Sequence, residues 1–201
     1  MDVAARGQLA TILAEIIAEP AAAGAWMQES AADMARLQAL IDRGIAGAGP
    51  FLRSSFEMPE HSLSARQVVA VFNGNTVVAL STATAAGEPR VAPIGCLLIG
   101  GVFHIPTTRT AARYRMVARQ PRVALTTFEG IDLAVIVQGT ARPVHQDDAD
   151  FARIEAVHVG LGDTSPRGWG RPGDGCYLAI EPRSIITYAR YPERIVAAPA
   201  G

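Results

Sequence analysis

The chain has 201 residues, 49% of them hydrophobic, which is enough for one folded domain with a short appendage. Its 18 basic and 19 acidic residues give a net charge of −1, which argues against a broad nucleic-acid or anionic-membrane surface. All 18 basic residues are arginine, so one arginine carries little meaning, whereas a cluster of arginines can still mark a site.

The cysteines and the N-terminal sequence indicate where the protein works. Cys96 and Cys176 do not stand in the spacing of a metal site or a disulfide-rich scaffold. A secretory signal is not expected, because Asp2 precedes Arg6 and Glu15 interrupts the apolar stretch. No run reaches the ~18 uninterrupted apolar residues of a membrane span. We therefore expect a cytoplasmic, soluble protein with reduced thiols, no metal site, and no nucleic-acid or membrane partner.

Two amphipathic helices are predicted near the N-terminus. Apolar residues recur at helical spacing from Leu9 to Ile17, and Glu19-Pro20 ends this helix. A second helix is expected from about Ala25 to Ile45, ended by a Gly- and Pro-rich stretch. Its inward side chains would be Trp26, Met34, Leu37, Leu40 and Ile41. We assign residues 1–60 to a helical extension that packs on a sheet face, contacts a second subunit or covers a pocket, and residues 61–201 to the main domain.

The pattern changes to that of strands after a short helix. Ser64 and Gln67 have the spacing of a capping box, which predicts a helix through Val71. Further helices are expected at residues 110–119 and 147–159, with a Gly- and Pro-rich loop at 160–175. Alternating apolar residues between tight turns predict six strands, at residues 76–84, 90–99, 102–105, 122–128, 131–144 and 176–188. This order favours an antiparallel barrel over a parallel α/β sheet.

The densest chemical segment lies between residues 109 and 122. Arg109 and Arg113 are four residues apart, which places both on one face near the predicted helix start. Free backbone N–H groups and the helix dipole favour an anion there, and guanidinium groups bind phosphate bidentately. Arg115 and Arg119 form a second pair that is expected to point to solvent. The alternative interpretation of the whole cluster is a solvated arginine-rich surface.

Several short motifs follow one another in this region. They are the strand Ala79–Thr82, the turn Gly87-Glu88-Pro89, the strand start Arg90-Val91-Ala92-Pro93, the segment holding Thr107, Arg109 and Arg113, and the strand Gln120–Leu125. In this order they resemble the pyridoxamine 5′-phosphate oxidase-like, FMN-binding split-barrel superfamily. The resemblance extends from about Ser64 to Tyr188. It implies a mainly β fold with some α, a six-stranded antiparallel split β-barrel, to which the N-terminal helical extension is added.

The resemblance also implies a cofactor, an assembly and a set of binding residues. The family binds FMN at the interface of a homodimer, so a second subunit would complete each site. The residues running along the flavin ring would be Arg90, Val91, Ala92, Pro93 and Ile94. Thr107 and Thr108 would contact the ring side or the ribityl chain, and Arg109 and Arg113 would hold the phosphate. Candidates for the second subunit's contribution are Gln138 and Trp169.

The chain departs from the family pattern in three ways. Ala111 replaces the usual serine, Met116 replaces a common asparagine, and the C-terminal Arg- and Trp-rich signature of true pyridoxamine phosphate oxidases is not evident. The resemblance as a whole still predicts an FMN-binding oxidoreductase acting on a small molecule, with no catalytic residue assigned. The alternatives are a deazaflavin-dependent reductase of the same fold, a non-catalytic flavin- or haem-binding protein, and an interaction protein with an empty barrel.

Three other groups of reactive side chains are expected to have structural roles. Cys96 lies in an apolar strand without a nearby positive helix end, which favours buried packing. His104 adjoins the predicted site and could donate to a flavin or substrate, although a structural role is favoured. His145 with Asp147 and Asp148 resembles helix capping more than a metal site.

Overall fold

The computed structural model describes residues 29–73 and 76–195. The first predicted helix, between Leu9 and Ile17, lies outside these ranges, as does Trp26. No helix within the described ranges is long and apolar enough to cross a bilayer.

In the part of the chain that the structure describes, three helices precede the sheet. α1 (Ala31–Gly47) starts later than predicted because Ser30 and Asp33 form a capping box, in which each side chain accepts the other residue's backbone N–H. The sequence did not predict α2 (Pro50–Ser55), which is a short helix after Gly49. α3 (Ala65–Val71) begins with the predicted capping box of Ser64 and Gln67.

Six antiparallel strands form a closed barrel in the order β1-β2-β3-β6-β5-β4, which confirms the predicted fold class. Their bounds are β1 Thr76–Ala83, β2 Pro89–Ile99, β3 Val102–Thr108, β4 Arg122–Glu129, β5 Leu133–Val144 and β6 Gly175–Ala189. α4 (Ala112–Arg119) joins β3 to β4, and α5 (Phe151–Gly160) follows β5. Short 3₁₀ turns lie at Pro166–Gly168 and Pro192–Arg194.

The barrel is split between β2 and β3. Only Leu97–Ile99 of β2 pair with β3, while the earlier part of β2 pairs with β1 alone among the described strands. β3 instead continues along β6, where Thr107 pairs with Cys176 and Thr108 with Gly175. Because β6 is remote in sequence, the local pattern predicted an end at residue 105. β3 leads through a short turn into α4.

Two apolar clusters stabilise this arrangement. The larger one fills the barrel and includes α1 and α3 side chains, while the smaller lies outside the barrel beneath α5. Each fully buried Leu, Ile or Phe contributes roughly 1.5–3 kcal/mol of transfer free energy. Of the predicted inward positions on α1, Leu37, Leu40 and Ile41 are buried and Met34 packs against the core. α1 lies so close to β6 at Gly44 that a Cβ there would overlap the Ile185 oxygen.

Candidate functional site

The end of β3 and the first turn of α4 form a compact polar site. Thr107 faces the barrel interior and is only 1% exposed. Arg113 is half-buried and donates from Nη1 to Oγ1 of Thr107 at 3.1 Å. This hydrogen bond holds a guanidinium group against a buried hydroxyl at the split edge of the barrel.

The start of α4 has no side-chain cap. Its N-cap residue is Ala111, and among residues 29–73 and 76–195 no side chain caps the first-turn amides. Backbone N–H groups at a helix start carry partial positive charge and favour an anionic acceptor. The helix start and Arg113 therefore offer a phosphate both backbone and side-chain donors.

The predicted helical pairing of Arg109 with Arg113 is wrong. Arg109 lies in the turn before α4, where its backbone N–H donates to the Asp174 oxygen at 2.8 Å. This bond holds the turn against the loop before β6, and α4 begins only after Ala111. Burial raises the pKa of Cys176 to about 11, and the charge of Arg109 partly opposes that shift. Arg109 is therefore near the Thr107–Cys176 pair although it is not on the helix.

The second arginine pair faces solvent, as predicted. Arg115 and Arg119 are both exposed. Arg115 donates from Nη1 to the Thr110 oxygen at 2.6 Å, which turns its guanidinium back toward the preceding turn. Thr108 and Thr110 hydrogen-bond to each other through their hydroxyl groups at 3.0 Å.

The first half of β2 presents a free edge near this site. Arg90 is exposed and forms an ion pair with Glu88 at 3.0 Å. Val91 is 68% exposed and Pro93 is exposed, whereas Ala92 and Ile94 are half-buried. Because this edge lacks a partner strand among the described residues, its backbone is accessible to a ligand.

A cavity of about 560 Å³ lies on the outer face of β1, β4, β5 and β6. Gln138 is exposed within it, beside Arg122, Arg183 and Ser184. The register shifts between Gln138 and Gly139, which marks a β-bulge at this position. The sequence assigned no site role to Arg183, or to Arg122, although Arg122 lies in the Gln120–Leu125 motif.

Trp169 is half-buried and directly follows the 3₁₀ turn Pro166–Gly168. That turn lies on Gly175, where a Cβ would overlap the Pro166 oxygen. Since Gly175 pairs with Thr108, the turn before Trp169 is anchored at the α4 end of the barrel. Gln138 instead lines the outer cavity.

Thr82 is a further polar residue at this end of the barrel. It is 6% exposed, and its Oγ1 lies 3.2 Å from the Met116 sulfur on α4. Sequence reasoning placed Thr82 in a strand motif without a role. The inward alternation of β1, which buries Val78 and Leu80, was the signal that could have placed it near α4.

The remaining candidates have structural roles. Cys96 is fully buried, and burial raises the pKa of its thiol. The His145 backbone N–H donates to the Asp148 carboxylate at 2.7 Å, and the Tyr114 hydroxyl lies 2.9 Å from His145 Nε2. Within the described ranges no three His, Cys, Asp or Glu residues are placed to hold a metal ion. His104 does not join the site at Thr107, because adjacent residues alternate between the two faces of β3.

Comparison with known proteins decides the family. The profile of the family described as pyridoxamine 5′-phosphate oxidase matches residues 64–187. The chain belongs to this family. The matched segment agrees with the resemblance predicted from about Ser64 to Tyr188. No curated protein matches the chain.

Solved structures share the fold of this family member at low sequence identity. A candidate pyridoxamine 5′-phosphate oxidase from Listeria innocua is 17% identical with a TM-score of 0.50, and the match covers 60% of this chain and 94% of that one. General Stress Protein 26 from Bacillus anthracis str. Sterne is 18% identical with a TM-score of 0.49, covering 61% and 91%. An F420 reductase is 17% identical with a TM-score of 0.46, covering 58% and 93%.

Proposed function

We propose that the protein is an FMN-binding oxidoreductase that works as a homodimer on a small-molecule substrate. The observation that carries this proposal is the half-buried Arg113, which is hydrogen-bonded to the buried Thr107 beside the uncapped start of α4. A phosphate monoester requires several converging donors, and this site offers a guanidinium group and free backbone N–H groups.

The residues present fit FMN at each part of the molecule. Arg113 and the start of α4 would hold the phosphate, with Arg109 close by. Thr107 and Thr108 lie next along β3, at the position expected for the ribityl chain. The free edge of β2, with its exposed Arg90 and Val91, would follow the flavin ring. When bound, the flavin supplies hydride or electron transfer, while the chain binds it, orients it and excludes water.

An apolar outer face supports the homodimer. Val77 and Val91 point outward from β1 and β2 and are 64% and 68% exposed, and Phe128 on β4 is 64% exposed on the same face. Exposed apolar side chains grouped on one sheet face are typical of a surface that binds another subunit. The cavity that holds Gln138 adjoins this face, since Ser81 lines the cavity and pairs with Val91.

This arrangement assigns Gln138 to the part of the site that a second subunit would supply. Its exposed side chain, with Arg122 and Arg183 nearby, offers polar groups to a ligand held by the other chain. Trp169, anchored near Thr108, is the second residue proposed to border the flavin.

The test is the identity of the ligand in the native protein. An absorbance spectrum and the mass of the molecule released on denaturation are expected to identify FMN. Release of a deazaflavin or of haem would show that this molecule, and not FMN, is the cofactor. A colourless protein whose unfolding temperature does not change with added FMN would overturn cofactor binding and leave an interaction role.

A further inference from the structure

A second cavity lies on the opposite side of β3 from Thr107. It has a volume of about 310 Å³, at the small end of ligand pockets, opens to solvent, and is lined by α1, the β2–β3 turn, β3, β5, α5 and β6. Its polar lining residues are Asp33, Arg36, His104, Arg142, Asp150, Arg153 and Glu181. Neither the family motifs nor the proposed flavin site uses these side chains.

The glycine turn between β2 and β3 makes room for two guanidinium groups. Gly100 and Gly101 have φ angles of 61° and 69°, a region in which L side chains are strained. A Cβ at Gly100 would lie 2.9 Å from Arg153 Nη2, and one at Gly101 would lie 2.7 Å from Arg36 Nη2. Arg36 Nη2 also donates to the Gly100 oxygen at 2.6 Å. The turn therefore lets both arginines lie close to the backbone at the cavity.

The three arginines in the cavity differ in whether they already form an ion pair. Arg36 forms an ion pair with Asp33 at 3.1 Å, and Arg142 forms one with Asp150 at 3.0 Å. The guanidinium of Arg153 makes no hydrogen bond or ion pair with another residue in ranges 29–73 and 76–195. Its charge acts on Asp33 and on His104 only at longer range. Arg153 is therefore the cation in this cavity with capacity for a ligand.

His104 supplies a second unsatisfied group. Its side chain is 5% exposed, and within the described part of the chain its Nδ1 has no hydrogen-bond partner. Burial and the nearby charges of Arg153 and Arg142 lower its pKa to about 4, so the ring is neutral at pH 7. A neutral imidazole carries one donor and one acceptor nitrogen. A buried polar atom without a hydrogen-bond partner destabilises the folded protein, and a bound ligand or water would satisfy it.

The charges around the cavity limit the kind of ligand. Arg36, Arg142 and Arg153 are balanced by Asp33, Asp150 and Glu181, so with a neutral His104 the lining has no net charge. A polyanion would be repelled by three carboxylates, whereas a single anionic group can pair with the uncommitted Arg153. A small oxoanion head group fits both the volume and this charge pattern.

We propose that this cavity binds a small molecule through one carboxylate or phosphate group, with Arg153 as the charged contact and His104 as a neutral hydrogen-bonding partner. Arg36 and Asp33 lie on α1, outside residues 64–187 that match the family. The site therefore belongs to this chain's own combination of extension and barrel. It does not depend on the proposed flavin, since none of its residues lies in that site.

The experiment resolves binding residue by residue. The purified full-length protein is titrated with inorganic phosphate and, separately, with acetate at constant ionic strength, and backbone amide signals are followed by ¹H–¹⁵N NMR. Saturable shifts are expected at Gly100 and Gly101 with at least one of the two anions. The anion that saturates at lower concentration identifies the head group as a phosphate or a carboxylate.

Variants separate this cavity from the flavin-phosphate site. Arg153→Gln is expected to weaken the saturable shift at Gly100 by about tenfold or more, the effect of losing a charged hydrogen bond. Arg153→Lys, which keeps the charge, is expected to weaken it less. Arg113→Gln and the matched surface control Arg115→Gln are expected to leave it unchanged, and the dispersion of each spectrum reports whether the variant is folded.

Two results would overturn the proposal. One is the absence of saturable shifts at Gly100 and Gly101 with either anion. The other is a shift that persists at equal strength in folded Arg153→Gln. Loss of the Gly100 shift in Arg113→Gln would also count against it, because the signal would then come from the start of α4.

Discussion

Arg113 Nη1 donates to Oγ1 of Thr107 at 3.1 Å, joining the first turn of α4 to the buried end of β3. Thr107 pairs with Cys176 on β6, so its hydroxyl is held by the barrel itself. The guanidinium is thus oriented before any ligand arrives, which reduces the side-chain entropy lost on binding. Arg115, two residues later, is instead exposed and bonded to a backbone oxygen.

Replacing Arg113 therefore tests the phosphate site most directly. Arg113→Ala is expected to weaken FMN binding by ~1.5–3 kcal/mol, because one charged hydrogen bond to the phosphate is lost. Arg115→Ala, the matched control on the exposed face, is expected to change affinity by less than about twofold. Titration of the cofactor-free protein with FMN, followed by flavin fluorescence, measures both. Equal losses in the two variants would contradict the assignment of Arg113.

The apolar outer face predicts where the dimer forms. Val91→Asp would place a carboxylate on the sheet face that also carries Val77 and Phe128, and burying it in an interface without a partner is costly. We expect the dimer dissociation constant to rise by more than about tenfold, measured by light scattering during a dilution series. Val159→Asp on α5, at an exposed apolar residue outside this face, is the control. A wild-type monomer, or equal effects of both substitutions, would contradict this interface.

The bulge at Gly139 is expected to tolerate no side chain. A Cβ there would lie 2.5 Å from the Glu181 oxygen and 2.8 Å from Ile180 Cγ2, so the two strands would have to separate. Gly139→Ala is expected to lower the free energy of unfolding by about 1–3 kcal/mol, as overpacking does. In the control Gly160→Ala, no atom lies within 4 Å of the new Cβ. This substitution should change the free energy of unfolding by less than about 0.5 kcal/mol. Urea denaturation compares them, and similar stabilities would disprove the close contact.

Burial of His104 predicts how stability depends on pH. Its pKa is lowered from 6.5 to about 4 by burial and by Arg153 and Arg142, while the Val102 backbone and Asp150 act in the opposite direction. Between pH 6.5 and 4 the unfolded chain binds a proton that the folded chain does not. Stability therefore falls as the pH drops through this range, by up to about 3 kcal/mol in total.

The variant His104→Gln cannot titrate and should lack this part of the pH dependence. The comparison is the free energy of unfolding of wild type and variant, measured by urea denaturation at several pH values between 7 and 4. As the pH falls, the free energy of unfolding of the wild type is expected to decrease relative to that of the variant. Parallel pH profiles would mean that His104 is protonated as readily in the folded protein as in the unfolded chain.

Features governed by neighbours in sequence were predictable. The capping box of Ser64 and Gln67 and the turn at Gly100-Gly101 depend on atoms a few residues apart, and both occur as predicted. The alternation in β5, which buries Val135 and Val137, follows from the period of a strand. The capping box of Ser30 and Asp33 was overlooked, although its signal is just as local.

Features governed by contacts across the barrel were not predictable. Arg109 lies outside the helix because its backbone N–H donates a hydrogen bond to the oxygen of Asp174, in the loop before β6. β3 extends to Thr108 because Gly175 offers a partner for it. Such pairings join segments more than sixty positions apart, and the periodicity of one segment contains no information about the other.

The same distinction applies to the two candidate sites. Thr107 and Arg113 lie within one short strand-to-helix segment, so the sequence alone determined that a hydroxyl and a guanidinium would be close at a helix start. Arg36, His104 and Arg153 come from three remote elements and share no motif. Only the tertiary structure decided that they line one cavity, because packing of α1 and α5 on the barrel determines which arginine is paired and which remains uncommitted. The sequence thus determined the arginine content and the order of strands and helices, while long-range packing decided what those arginines contact.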